Sequence, residues 1–481
     1  MIDRRNLRSL VTFAGIAVPG VLIATTGFLA PLAGGSVERG ADQIRLPASD
    51  TVSVCPGPWQ TAEEAAGTDA EFSTDPAPPA TVQAATAPIS APDGTRRAAG
   101  LSSASLDGAE NFTVGASPGF VSGDDRAEAP VRVTGLAEDE SPALVSAGQT
   151  VAAPDGDYAG LAVLSCVRPT TRAVFTAASG GPGSDVRLLI GNPSQAPITV
   201  RIGLVGAHGP VTAAGEDTIG LQPGEQRAVL LGALAPDEPV LGIELSAADG
   251  LMTSVLQQIE RDGLTSLGIE YGAPTAPAAT EAEVPLAAAG SAALRVVNPG
   301  DTATTVRIEH LGHDGPVDIA ESSAAIPARG VVEVPLGDVP AGVVRVTGED
   351  PVHAGARLPA DGDFAEVPAV EPLRAGQLLV LPRGPETSVV LGAADGTLTV
   401  SGLREDGTST EARTVDLSPD RTSVITPDAL FGEDVMALHI DTPDGTAVRG
   451  AAMASGEAGI GALVVPSAPS GIGYRDIRIG S

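Results

Sequence analysis

Acids, five histidines, one glycine-rich loop and two cysteines are the residues of this chain that could do chemistry. Asp155 and Asp157, and again Asp361 and Asp363, frame Asp-Gly-Asp triplets that could offer oxygens to calcium. A calcium loop supplies six or more oxygens in a longer pattern, which the flanking residues lack, so both triplets read as turns. His208, His310, His313, His353 and His439 include no H-E-x-x-H pair and read as solvated turn residues. Gly180-Gly181-Pro182-Gly183-Ser184 has the glycines of a phosphate cradle. It lacks the lysine and the strand–loop–helix setting that such a cradle needs, and reads as a flexible connection. There is no G-x-S-x-G elbow. Lysine is absent from the whole chain, which excludes Schiff-base chemistry and the S-x-x-K nucleophile. Carboxylates are so numerous that no pair stands out as acid and base. No catalytic residue, metal site or cofactor site is therefore assigned, and the chain is expected not to be an enzyme.

The cysteines, Cys55 and Cys166, have no histidine near them and are too few for a metal site. In an exported protein an even count predicts one disulfide. It would close a loop of about 110 residues, which the chain-entropy model values at about 4–5 kcal/mol. The alternative is two separate buried thiols.

The elements that must position these residues are repeated. Residues 187–211 (RLLIGNPSQAPITVRIGLVGAHGPV) and 293–317 (ALRVVNPGDTATTVRIEHLGHDGPV) share eleven of twenty-five positions without a gap. The shared residues include Asn192/Asn298, Pro193/Pro299, Gly209/Gly315 and Pro210/Pro316. Ile198, Val200, Ile202 and Leu204 alternate with Thr199, Arg201, Gly203 and Val205, the period of a strand with one face on a core. Asn-Pro stops the preceding apolar run, because proline cannot donate to a ladder. These residues are assigned to turns. Asp155-Gly156, Asp262-Gly263 and Asp361-Gly362 each precede an apolar run and are expected to open the last hairpin strand of a unit.

Four β units follow: 50–170, 171–275, 284–370 and a degenerate 376–467, with a tail at 468–481. Residues 59–99, rich in Ala, Pro and Thr with little periodicity, read as a disordered insertion in the first unit. The 59 glycines and 41 prolines punctuate the chain too often for long helices. An aromatic content of 2% leaves Val, Leu, Ile and Ala to build the cores. Seven or eight short strands per unit predict an all-β chain of tandem immunoglobulin-like sandwiches. The alternative is a β-propeller of about eight blades.

At the amino terminus, Arg4, Arg5 and Arg8 precede an uncharged run over 9–37, apolar from 10 to 33. Twenty-four helical residues span about 36 Å, enough to cross a bilayer core of about 30 Å. An uncleaved anchor over 1–37 is favoured over a cleaved signal, with the arginines inside and the bulk of the chain exported. Asp3-Arg4-Arg5-Asn6-Leu7 only loosely resembles a twin-arginine signal. The net charge of −32 would repel nucleic acid, which is excluded as a partner.

Cys55-Pro56 after the anchor, a later cysteine, L-x-x-x-N-P, T-V-R-I, G-P-V and the Pro223-Gly224 turn together resemble an actinobacterial family of secreted or membrane-anchored proteins. It is the domain-of-unknown-function family 5719. The resemblance covers most of the chain beyond the insertion. It departs in the last unit, where Ala394-Asp395 replaces Asn-Pro. Members are typically encoded near a large membrane glycosyltransferase, so the resemblance implies a cell-envelope role. The expectation is a non-catalytic, extracytoplasmic binding or scaffolding module, held at the membrane by its N-terminal helix and serving an envelope protein or a glycan. The alternatives are a divergent carbohydrate-active hydrolase on a propeller and a structural spacer.

Overall fold

In a computed structural model the described residues are 42–45, 49–61, 76–88, 100–109, 111–112, 125–137, 143–373, 376–392, 394–432, 434–442, 447–466 and 474–477. The membrane-anchor assignment falls on residues outside this set. Among the described residues no helix is long and apolar enough to cross a membrane. The chain divides into two units. One holds residues 1–46 and 473–481, where β1 (Asp42–Arg45) pairs antiparallel with a strand at Tyr474–Ile477 inside the expected tail. The other is residues 47–472, and all that follows concerns it.

That unit is all-β, with two one-turn helices at Leu231–Leu234 and Pro427–Phe431. Its strands fall into four successive sets, each with two sheets. In the first set β2 (Thr51–Cys55), β3 (Ala80–Pro88), β4 (Gly100–Ser105), β5 (Asn111–Phe112), β6 (Asp125–Arg126), β7 (Val131–Leu136), β8 (Ala143–Ala153) and β9 (Gly160–Ser165) form sheets ordered β2-β7-β4-β5 and β6-β3-β8-β9. The second has β10 (Arg172–Ala178), β11 (Ser184–Gly191), β12 (Ile198–Gly206), β13 (Gly209–Val211), β14 (Thr218–Leu221), β15 (Gln226–Leu230), β16 (Leu241–Ala247), β17 (Thr253–Asp262) and β18 (Thr265–Gly272). Its orders are β10-β16-β12-β13, with β14 also on β12, and β15-β11-β17-β18.

The third set has β19 (Ala279–Leu286), β20 (Gly290–Val297), β21 (Thr304–Gly312), β22 (Gly315–Val317), β23 (Ser323–Ile326), β24 (Val331–Val339), β25 (Gly342–Ala360) and β26 (Asp363–Pro368). Here β25 runs on through both sheets. Its first half pairs with β19 and β21, its second with β20 and β26. The fourth set is β27 (Gln377–Val380), β28 (Glu386–Leu391), β29 (Gly396–Arg404), β30 (Arg413–Leu417), β31 (Ser423–Ile425), β32 (Val435–Asp441), β33 (Gly450–Gly456) and β34 (Gly459–Val464). Its orders are β27-β32-β29-β30 and β31-β28-β33-β34.

Period-two patterning explains the packing. In β12 and β21 burial alternates identically along the strand, with Ile198, Val200 and Ile202 matched by Thr304, Val306 and Ile308. The inward face of β12 meets Val186, Leu188 and Ile190 of the facing sheet, so each core lies between two sheets. The last hairpin of each set, β8–β9, β17–β18, β25–β26 and β33–β34, brings one strand to a common axis. There β9 packs on β18, β18 on β26, β26 on β34 and β34 on β9, which closes the cycle.

Two expectations need correction. Residues 80–88, assigned to a disordered insertion, form the strand β3, in unbroken nine-residue register with β8. Its alanines are the reason: Ala80, Val82 and Ala84 face the first core, while Ala85 and Ala87 let Leu378 and Val380 of β27 approach the other side. Trp59, at the start of the same stretch, is also buried. Residues 62–75 and 89–99 lie outside the described set. The second correction concerns the histidines. His310 on β21 and His353 on β25 are buried strand residues, not solvated turns, and each ring hydrogen-bonds one carbonyl, Pro340 and Ala276 respectively.

Candidate functional site

The axis begins at the first residue of β9, β26 and β34 and at the fourth of β18. Gly160, Gly268, Asp363 and Gly459 occupy matching positions, each followed by an apolar residue: Leu161, Ile269, Phe364 and Ile460. Asp363 is the one side chain among them, and it joins the other three strands. Its Oδ2 accepts the backbone N–H of Leu161 and of Ile460, both at 2.9 Å, and its Oδ1 accepts that of Ile269 at 3.2 Å. The three glycines are required. A Cβ on Gly459 would lie 1.9 Å from Asp363 Oδ2, and one on Gly268 2.2 Å from Oδ1.

Two residues further along, the same ring of positions reads Ala162, Glu270, Ala365 and Gly461. Glu270 is fully buried. Its Oε1 accepts the N–H of Tyr271, and its Oε2 those of Glu366 and Ala462. Burial pushes Asp363 up to about 7, with its backbone donors pulling the other way. Burial, followed by the charge of Asp363, holds Glu270 well above the usual carboxylate range. Both carboxyls are therefore occupied by backbone donors from neighbouring strands, and they act as cross-links between sets.

The opposite ends of the four strands line a cavity of about 1060 Å³. Ser165 ends β9, Ala273 follows β18, Ala369 follows β26, Val464 ends β34 and Val465 follows it. Prolines 169, 274, 277, 299 and 466 stiffen the walls. Cys166 lies in the lining and is disulfide-bonded to Cys55, which ties β2 to the cavity rim. Among the lining side chains, Arg168, Arg172, Arg201, Arg329 and His353 face two carboxylates, Glu244 and Glu371. Glu244 lies 3.9 Å from Arg329. Burial holds His353 below the usual imidazole range.

Arg168 is exceptional. Its Nε and Nη2 are enclosed without a hydrogen-bond partner. Burial lowers its pKa to about 10, so it still carries its charge at neutral pH. A smaller cavity of about 200 Å³, lined by Leu106, Asp107 and Gly224 among others, holds no cationic side chain.

The turn residues read from the repeat sit at loop bases. Asn192 Oδ1 accepts the N–H of Ser194, and its Nδ2 donates to the carbonyls of Ala196 and Leu221. Asn298 repeats this with Gly300, Thr302 and Pro327. The carbonyl of Pro193 accepts Arg132 of the first set at 2.6 Å, whereas Pro299 lines the cavity. Gly209 and Gly315 open β13 and β22 at φ of 121° and 122°, with Pro210 and Pro316 next. Sequence reading missed Arg168, Glu270 and the role of Asp363.

The model of a family of unknown function (DUF5719) matches residues 120–428, more than half of the chain, and the chain belongs to that family. No curated protein and no solved structure matches it.

Proposed function

We propose that this member of a family of unknown function is a non-catalytic binding and scaffolding module of the cell envelope. In this reading its N-terminal segment tethers it to the membrane, the bulk of the chain is extracytoplasmic, and the four two-sheet sets are immunoglobulin-like sandwiches. One observation carries the proposal: all four sets send the end of a strand into one cavity, which a chain of independent spacers would have no reason to build. The Cys55–Cys166 disulfide supports an oxidising, exported location. The hydrolase alternative would need carboxylates converging on an open face. The two with the strongest upward shifts, Asp363 and Glu270, are instead saturated by backbone donors.

The test is affinity capture with the full chain from solubilised membranes of its own host, beside deletion of the gene. The expected result is a specific envelope partner or glycan, together with an altered envelope. If capture recovers nothing specific and envelope assembly proceeds unchanged, the proposal is wrong.

A further inference from the structure

We infer that the cavity at the strand ends is an oxyanion site, which takes a carboxylate or phosphate group carried on a larger molecule and holds it through Arg168. The inference rests on the reading of the cavity as the binding surface, and it adds the chemistry of the ligand.

The charge distribution is the first support. The chain carries 60 acids against 28 basic residues, yet the cavity reverses this balance with four arginines and two glutamates. Acids neutralise only part of it: Arg201 lies 3.7 Å from Asp217, and Arg329 lies 3.9 Å from both Glu244 and Asp301. Most other enclosed arginines meet a carboxylate, although Arg132 bonds to the carbonyls of Leu106 and Pro193 instead. Arg295 pairs with Glu333 and Glu366, Arg345 with Glu283, Arg357 with Glu260 and Glu366, and Arg187 with Asp185. Among the described residues, Arg168 has no carboxylate within ion-pairing distance, and neither does Arg172.

The second support is the cost of that arrangement. An enclosed guanidinium without a partner is destabilising, because it gives up hydration for nothing. An anion in the cavity would supply the missing charge. Nε and Nη2 are shut off from solvent, which leaves Nη1 as the nitrogen through which an incoming oxyanion makes contact. Charge-assisted bonds of this kind are the strong ones, more so between walls of low dielectric. Val167, Val174, Val370 and Val465 provide such walls. Size then separates a bare ion from a substituent: about 1060 Å³ is the space of a ligand far larger than one phosphate.

The experiment is calorimetric titration of the full chain, at low salt, with inorganic pyrophosphate, citrate and glucuronate, with glucose as the neutral control. The wild type is expected to bind at least one of the three anions and not glucose, with affinity falling as salt is added. Arg168→Gln should weaken binding by about tenfold or more. Arg172→Gln, on an exposed lining residue, should weaken it less, and Arg413→Gln on β30, outside the lining, should leave it unchanged. Preference for pyrophosphate or for the carboxylates identifies the source of the oxyanion, and either supports the inference. Without anion, Arg168→Gln should melt higher than the wild type, since an unpaired charge has been removed. Should that variant fail to fold, Arg172→Gln decides. Absence of anion binding by the wild type, or binding unaffected by both cavity substitutions, overturns the inference. It leaves the binding-module proposal standing if a partner is still captured.

Discussion

Asp363 accepts the backbone N–H of Ile269, the residue immediately before Glu270, so two enclosed carboxyls from different sets stand against one strand of the axis. The charge of Asp363 opposes ionisation of Glu270, on top of the burial that already does so. Closure of the four sets is thereby coupled to protons.

The sign of that coupling is fixed. Asp363 titrates at about 7 in the fold and near the usual value of about 4 when unfolded. Between these limits the native state binds more protons than the unfolded state, so stability falls as pH rises. The contribution is complete below about pH 4 and gone once pH has passed about 7, and Glu270 continues the same trend upward. Stability followed by thermal unfolding from pH 5 to 8 should therefore decline, by on the order of 3 kcal/mol at most for Asp363 over that window. Asp363→Asn cannot titrate, so its slope over that range should be shallower. An unchanged slope would show that the axis does not set the pH response.

Gly459 and Asp363 form a second testable contact. At φ of 139° Gly459 is in a region that side chains rarely adopt, and a Cβ there would meet Asp363 Oδ2 at 1.9 Å, too close for either to keep its place. Gly459→Ala should cost roughly 2–4 kcal/mol, by combining strain with overpacking and lost backbone bonds. Gly263→Ala, in a turn with open space around its Cβ, should cost less despite its own positive φ. Urea unfolding of both variants gives the comparison.

The local parts of this architecture were readable, and the axis was not. Asn192 and Asn298 bond within their own loops or to a carbonyl 29 residues away, and the alternation of β12 and β21 is visible in a ten-residue window. Asp363 finds its donors 202, 94 and 97 residues away. Matching the two Asp-Gly-Asp triplets set Asp157 against Asp363, whereas the fold sets Gly160 there, because the first hairpin carries a longer turn. Only alignment of all four last-hairpin strands shows three glycines facing one aspartate. β3 was hidden by composition. Alanine carries a weak hydrophobic signal, yet it suits a strand pressed from both faces. Arg168 gave no signal, since its meaning lies in the partner it lacks.

The disulfide should matter for more than its loop. Cys55 ends β2 and Cys166 follows β9, and Val54 and Val167 exchange backbone bonds beside them. Reduction, or replacement of both cysteines by serine, should cost about 2–5 kcal/mol. If the rim of the cavity depends on it, Arg168 should also become more accessible, and protection from arginine-directed reagents should fall. A melting shift without any change at Arg168 would confine the disulfide to global stability.

Arg357 joins the second and third sets. From β25 it meets Glu260 of β17 through both carboxylate oxygens, reaches Glu366 of β26 at 3.2 Å, and lies 3.9 Å above the ring of Phe364. Glu366 is buried and held upward by that burial, with Arg295 and then Arg357 pulling it down. Arg357→Met would keep much of the packing on Phe364 and remove the charge, stranding Glu366 with Arg295 alone. Breaking an enclosed pair in this way costs about 3–5 kcal/mol. The loss should grow as pH rises, because a carboxyl relieved of one cation has a higher folded pKa and must still ionise on unfolding. Adding Glu366→Gln to Arg357→Met removes the stranded charge and should recover part of the stability at pH 8 and less at pH 5. Double-mutant unfolding at those two pH values makes the measurement. Recovery equal at both would mean that Arg357 acts through packing on Phe364 or through Glu260 rather than through Glu366.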